Sequence, residues 1–301
     1  DPHNVETLQL VMKAASSRHN IDALLTLVAL AWDAEGRSVI AKAGGISMLV
    51  SVLNQLQATV SSLTPGSETL EVIRCVLMAL VALTKSPELS VSLCVSGAPA
   101  LAKQIAAPLK EDIIALADAL WEGISTSDLS ARFWLRGKIS SDCTLGNNFY
   151  VLSTDKFYAI SDLRSVPVTP DSPCAIIASP TTDPNLAKIE KGRPAQATDS
   201  SRPIVDRVSA LATYCINCLG GPASLDSCSA KIECALLKSA LKSNILPLGQ
   251  FKHGCSVSRA LLFKFLCDSV GIPCTLERDP KKPLMAWNCV QLQPGKPPSQ
   301  I

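Results

Sequence analysis

The residues of this chain whose types and spacing could do chemistry lie in one stretch, Pro247–Cys274, which reads PLGQFKHGCSVSRALLFKFLCDSVGIPC. Cys255 stands where an apolar helix over Val257–Val270 opens, and a thiol at a helix N-terminus gains from the helix dipole. His253 is two residues upstream. A cysteine nucleophile needs a base in reach of the thiol and a third group that orients the base. Side chains this close in sequence rarely face each other, so Cys255 and His253 stand only as an outside candidate pair for a cysteine-dependent acyl transferase or protease. His3 and His19 belong to the helical first half and are expected as exposed turn residues. For Cys215 and Cys218 (CINC), zinc would require a second ligand pair. Cys228 and Cys234 are too loosely spaced and have no histidine beside them, so two helix-face thiols are expected and no metal. Gly44–Gly45 and Gly220–Gly221 are turn glycines, and GxGxxG is absent. No cofactor is expected.

The same stretch resembles the nucleophile helix of papain- and transglutaminase-type folds. Their pattern is Gly-x-Cys, an apolar helix with Ala four residues after the Cys, then Gly-Ile-Pro leading into a strand. Counting back from Ala260 reaches Ser256, with Cys255 in the x position. The resemblance implies a base on a downstream strand immediately before Ala-Trp-Asn. That segment is LMAWNC, which places Met285 there, and a thioether cannot take the proton. The third group would lie on the following strand, whereas the chain ends at Ile301. The resemblance therefore implies a degenerate site, marked by Ser256 and Met285, on a scaffold that is no longer an enzyme.

The elements that must position this stretch begin with a helical first half. Leu24, Leu27, Val28 and Ala31 follow a 3.6-residue period, as do Val76, Ala79, Leu80 and Leu83, 52 residues further on. Segment 23–49 lays over segment 75–101 without a gap, which puts Gly45 on Gly97. Internal self-similarity of this kind predicts a helical solenoid, with Val5–Ser17 as the tail of an earlier repeat and Glu111–Ile124 as the start of a later one. The turns AKAGGISMLVSVL and CVSGAPALAKQI resemble armadillo repeats, whose stacked helices present an extended surface to a partner.

Near Asp128 the composition changes. FWLRGKI, FYVLS, FYAIS and CAIIASP suggest strands, and 180–202 reads as a loop. Helices return at Val205–Leu219 and Ile232–Leu241, and Thr275–Arg278 and Met285–Leu292 suggest two more strands. The expectation is an α-helical, armadillo-like solenoid over 1–127 and an α+β papain/transglutaminase-like domain over 128–301. ARFWLRGKIS, RVSALATYCINCLGG and ILPLGQFKHGCSVSRALLFKFLCDSVGIPCTLERD occur in the order of the regulatory domain that precedes the kinase in plant constitutive-triple-response and enhanced-disease-resistance kinases. Arg259–Lys264 (RALLFK) matches that domain outright. Armadillo repeats followed by this domain resemble the armadillo repeat-containing protein three family.

With 301 residues, 47% of them apolar, and a net charge of +2, the chain has a globular balance and no electrostatic case for nucleic acid or anionic membrane. Its twelve cysteines fall mostly within apolar helix or strand patterns, where free Cys packs as a small hydrophobe, so a reducing compartment is expected rather than a disulfide framework. Because the first residue is Asp1 rather than Met, the chain is read as part of a longer one. The family resemblance implies a non-catalytic scaffold with protein partners, placed in the cytoplasm and at the cilium or flagellum among axonemal or microtubule-associated complexes. The plant domain implies instead a signalling regulator that binds a kinase or receptor.

Overall fold

The computed structural model describes residues 2–60, 66–109, 111–146, 149–152, 156–222, 227–279, 282–292 and 299–300. The chain divides into two compact units, Asp1–Ala131 and Arg132–Ile301. The first consists of helices α1 (Pro2–Arg18), α2 (Ile21–Trp32), α3 (Ala34–Lys42), α4 (Gly45–Gln57), α5 (Glu68–Leu83), α6 (Pro87–Val95), α7 (Ala98–Ala106) and α8 (Glu111–Ser127). Side-chain caps fix several starts: Asn20 accepts from the Ala23 amide, Asp33 from Gly36 and Ser67 from Leu70. Helix α2 stacks on α5 and α5 on α8, while α1, α4 and α7 form a second row. The periodic residues predicted as core, Leu24, Leu27, Val28 and Ala31 with Val76, Ala79, Leu80 and Leu83, are all buried between these rows. No single helix among the described residues is long and apolar enough to cross a membrane.

The repeat is real, but its register slips. Gly97 corresponds to Gly44, not Gly45. Gly44 and Gly97 are both left-handed, at φ 81° and 76°, and each immediately precedes the third helix of its repeat. The turn before α6 (84–86) is longer than the single residue, Asp33, before α3, and the offset of 52 between the buried stripes of α2 and α5 becomes 53 between Gly44 and Gly97. Gly45 is glycine for another reason: a Cβ on it would lie 2.4 Å from the Ile40 side chain.

The second unit opens with α9 (Leu129–Arg136), which runs across the division, then β1 (Lys138–Ile139), β2 (Phe149–Leu152), α10 (Ile160–Ser165) and β3 (Ala175–Ala178). It continues with α11 (Pro184–Lys191), α12 (Ala195–Thr198), α13 (Ile204–Cys218), α14 (Ser227–Leu241) and β4 (Ile245–Pro247). A 3-10 turn, Leu248–Gln250, leads to α15 (Ser256–Ser269), β5 (Cys274–Asp279), β6 (Lys282–Val290) and β7 (Ser299–Gln300). One sheet has the order β1-β5-β6-β7, paired antiparallel; the other is β2-β3-β4, with β3 and β4 parallel. Helix α15, buried along most of its length, packs against β5, β6, β3 and α13 and forms the centre of the core.

Three local expectations are corrected. FWLR is the end of α9, because the Asp128 carboxylate accepts from the Ala131 amide at 2.7 Å and starts a helix there. Only Lys138–Ile139 of that run is strand. FYAIS does not form a strand either; Ile160 opens the short helix α10. The expected loop at 180–202 contains α11 and α12. Asp183 followed by Pro184 is a strong helix start, an acceptor at the N-cap and a fixed φ at the first helical position, which the Pro- and Thr-rich composition masks.

Candidate functional site

Helix α15 opens at Ser256, with Cys255 as its N-cap. Ser256 lines a cavity of about 190 Å³, together with Arg259, Ala260 and Phe263 of α15, Cys215 and Ile216 of α13, and Trp287 and Asn288 of β6. The two positions flagged by the sequence pattern thus lie on two of the three elements that build the cavity, α15 and β6. Met285 is half-buried on β6 and is not among the lining residues. The wall is mostly apolar, and its one fixed charge, Arg259, is engaged elsewhere.

Cys255 and His253 have separate surroundings. The Cys255 thiol is 7% exposed and sits 3.4 Å from the hydroxyl of Ser258, itself fully buried. His253 is 78% exposed at its side chain, with Nδ1 3.9 Å from Glu233 Oε2. The other oxygen of Glu233 accepts from the backbone amides of Lys252 and His253. Glu233 therefore holds the 252–253 segment against α14, and the thiol one turn further on faces the core.

Most of the remaining described thiols are buried in the packing. Burial pushes Cys215 and Cys94 up to about 12. A hydrogen bond to Cys174, then burial, raises Cys234; a hydrogen bond to Cys274, then burial, raises Cys267. Thiols held protonated in this way are poor nucleophiles and poor ligands. Cys215 and Cys218 lie a turn apart on α13, with Cys218 hydrogen-bonded to the Tyr214 side chain. The Cys228 side chain lies outside the described residues, as does that of His3. Among the described residues no group of three or more His, Cys, Asp or Glu side chains could hold a metal ion. His19 is half-buried and hydrogen-bonded to Gln55 at 3.2 Å rather than free on a turn.

RALLFK and the Pro-Leu-Gly ahead of it act as fasteners around the cavity. The Arg259 guanidinium donates to three carbonyls: Gly254 at 2.8 Å, Leu219 at 2.9 Å and Gly221 at 2.7 Å. It thereby ties the start of α15 to the turn that ends α13. Lys264 is fully buried and bound to Asp268 and the Cys143 carbonyl. Gly249 lies against the N-terminus of α11, where its amide donates to Asp183. The single sequence signal for the last contact is Asp-Pro at 183–184. Arg259→Lys is expected to lower the denaturation midpoint, because an ammonium cannot reproduce a planar fork that serves three carbonyls; the loss should be about 1–2 kcal/mol. Unchanged stability and unchanged hydrogen exchange at 219–221 would count against this role.

The second unit is thus an α+β domain in which a long core helix opens onto a small cavity beside a strand. Residues 125–283, more than half of the chain, match the family described as EDR1/CTR1/ARMC3, peptidase-like, and the chain belongs to that family. Human armadillo repeat-containing protein 3 is 38% identical over 104 residues, 33% of this chain and 12% of that protein. The probable serine/threonine-protein kinase SIS8 of Arabidopsis thaliana is 28% identical over 165 residues, 49% of this chain and 16% of that protein. The chain thus spans only a small part of the length of either relative. No solved structure matches significantly.

Proposed function

We propose that this chain is a non-catalytic protein-binding scaffold, with armadillo-type stacked repeats followed by a papain/transglutaminase-like domain that has lost its triad. The observation that carries this reading is the start of α15. The position that faces the cavity holds Ser256, and the thiol beside it, Cys255, is turned into the core against Ser258. On the strand side, Met285 replaces a proton acceptor. Likeness to human armadillo repeat-containing protein 3 supports a role built on protein contacts. We place the protein in the cytoplasm and at the cilium or flagellum, on axonemal or microtubule-associated complexes.

The test is proximity labelling in ciliated cells with the wild type and a Cys255→Ala/Ser256→Ala variant, alongside an electrophilic acyl probe on the purified chain. The expected result is the same set of structural proteins for both forms and no stoichiometric labelling of Cys255. Labelling of Cys255 that the Ala variant abolishes, or accumulation of an uncleaved substrate, would establish a cysteine-dependent acyl transferase or protease instead. A second reading, a regulator that binds a kinase or receptor, is favoured by the match to a plant protein kinase. It predicts stoichiometric co-purification with a kinase or receptor.

A further inference from the structure

Helix α14 has one face that its own unit uses and one that it does not. The inner face buries Cys234 and Lys238, and the Lys238 ammonium donates to the carbonyls of Pro170 and Ser172 at 2.5 and 2.8 Å. On the outer face, Ile232 and Leu236 are 59% and 61% exposed, and Ala240 continues the same line. Residues four apart share a helix face, so the three form one apolar stripe.

Positive charge borders this stripe. Lys231 stands exposed at its beginning and Lys242 just past its end. Along the Glu233 edge lies the exposed pair Lys252 and His253, held there because Glu233 accepts from both of their amides. Glu233 is the acidic residue on this part of α14, and its carboxylate is 13% exposed at the side chain and already shared between those amides and His253.

We propose that the outer face of α14 docks an acidic amphipathic helix of a partner protein, which lays Leu or Ile side chains spaced i, i+3 or i+4 along Ile232 and Leu236 and sets its carboxylates against Lys231, Lys242 and Lys252. This names a binding face for the scaffold reading and rests on it. Charge complementarity selects the occupant: an apolar stripe with a basic border favours acidic flanks and rejects basic ones. A lipid surface fits poorly, because two large side chains offer little area to bury in a bilayer interface.

The test uses the full chain carrying Leu236→benzoylphenylalanine, photo-crosslinked in ciliated cells, with the attached peptides identified by mass spectrometry. A second chain carries the same photoprobe at Leu10 of the first unit. Expected adducts from position 236 map to segments of net negative charge with Leu or Ile at helical spacing. Lys231→Glu with Lys242→Glu should reduce their yield about tenfold or more, as for the loss of about 1.4 kcal/mol. Adducts on lipid, on a second copy of this chain or on basic segments would overturn the proposal, and so would no adducts at all. Ile232→Ser with Leu236→Ser checks that the stripe is not structural: the unfolding midpoint should not fall, and a fall would overturn the proposal too. If position 236 fails while the Leu10 probe and proximity labelling still capture a fixed partner set, the scaffold reading stands without this face. If all three fail, both fall.

Discussion

Replacing Lys264 by methionine is expected to destabilise the second unit by about 3–5 kcal/mol, the range for breaking a buried ion pair from one side. Lys264 is fully buried, and its Nζ lies 2.6 Å from Asp268 Oδ1 and 2.6 Å from the Cys143 carbonyl. The other Asp268 oxygen accepts from the Leu145 amide at 3.0 Å. One ion pair thus ties α15 to residues 143–145, far away in sequence. The pair itself adds little net stability, since desolvating both charges offsets most of their attraction. Its removal from one side is another matter, because Lys264→Met strands a carboxylate in the core. Lys264→Met with Asp268→Leu should recover most of the loss, short of what the orphaned Leu145 amide costs, about 1–3 kcal/mol. The same geometry fixes a pH dependence. Burial raises the Asp268 carboxyl above its ordinary value, and Lys264 opposes that rise. A raised group binds its proton more tightly in the folded state, so its contribution is full below the unfolded pKa and is lost as pH climbs through the folded one. Without Lys264 the rise is unopposed. The deficit of Lys264→Met should therefore widen as pH rises above the ordinary carboxylate range. Urea unfolding followed by hydrogen exchange along α15 reads both effects. A single-variant loss under about 1 kcal/mol, or a deficit that shrinks as pH rises, would rule out a buried pair of this kind.

How much of this was legible depended on whether a signal was periodic or positional. The Leu/Ala stripes of α2 and α5 announced two stacked repeats because a helix must bury one face every 3.6 residues, and no other local structure uses that spacing. Their register was less legible: a longer turn before α6 leaves both periodicities intact, and the left-handed backbone of Gly44 and Gly97 reveals the shift. Aromatic-rich runs misled in the other direction. FWLR looks like strand by composition, yet Asp128 in front of it caps a helix. In the site, the resemblance placed Ser256 and Met285 on the helix and strand that flank the cavity. What RALLFK does could not be read from its spacing. Arg259 and Lys264 bind carbonyls of the 219–221 turn and of Cys143, contacts across about forty and more than a hundred residues that only the folded chain brings together.

The contact between Asp183 and Gly249 should be nearly as costly to disturb, because one carboxylate both caps α11 and holds the 3-10 turn ahead of α15. Asp183 is 2% exposed and accepts from three amides: Asn185 at 3.1 Å, Leu186 at 3.2 Å and Gly249 at 2.6 Å. The first two cap α11, and the third pins the 3-10 turn whose chain runs on through Phe251 to Cys255. Asp183→Ala removes a helix cap, about 1 kcal/mol, and leaves buried amides without an acceptor at about 1–3 kcal/mol. The expected total is about 3 kcal/mol. Gly249→Ala reaches the same contact from the other side. Its Cβ would fall 2.3 Å from the Leu186 nitrogen and 2.8 Å from the Asn185 carbonyl carbon, and backbone cannot rotate away as a side chain can. The turn would have to retreat and stretch its bond to Asp183, a loss of about 3 kcal/mol, at the upper end of overpacking. Because each change breaks the contact that the other relies on, the double variant should lose clearly less than the sum of the two, with a coupling of about 1 kcal/mol or more. Strict additivity in a double-mutant cycle would mean that Gly249 is needed for space alone and that Asp183 serves only α11.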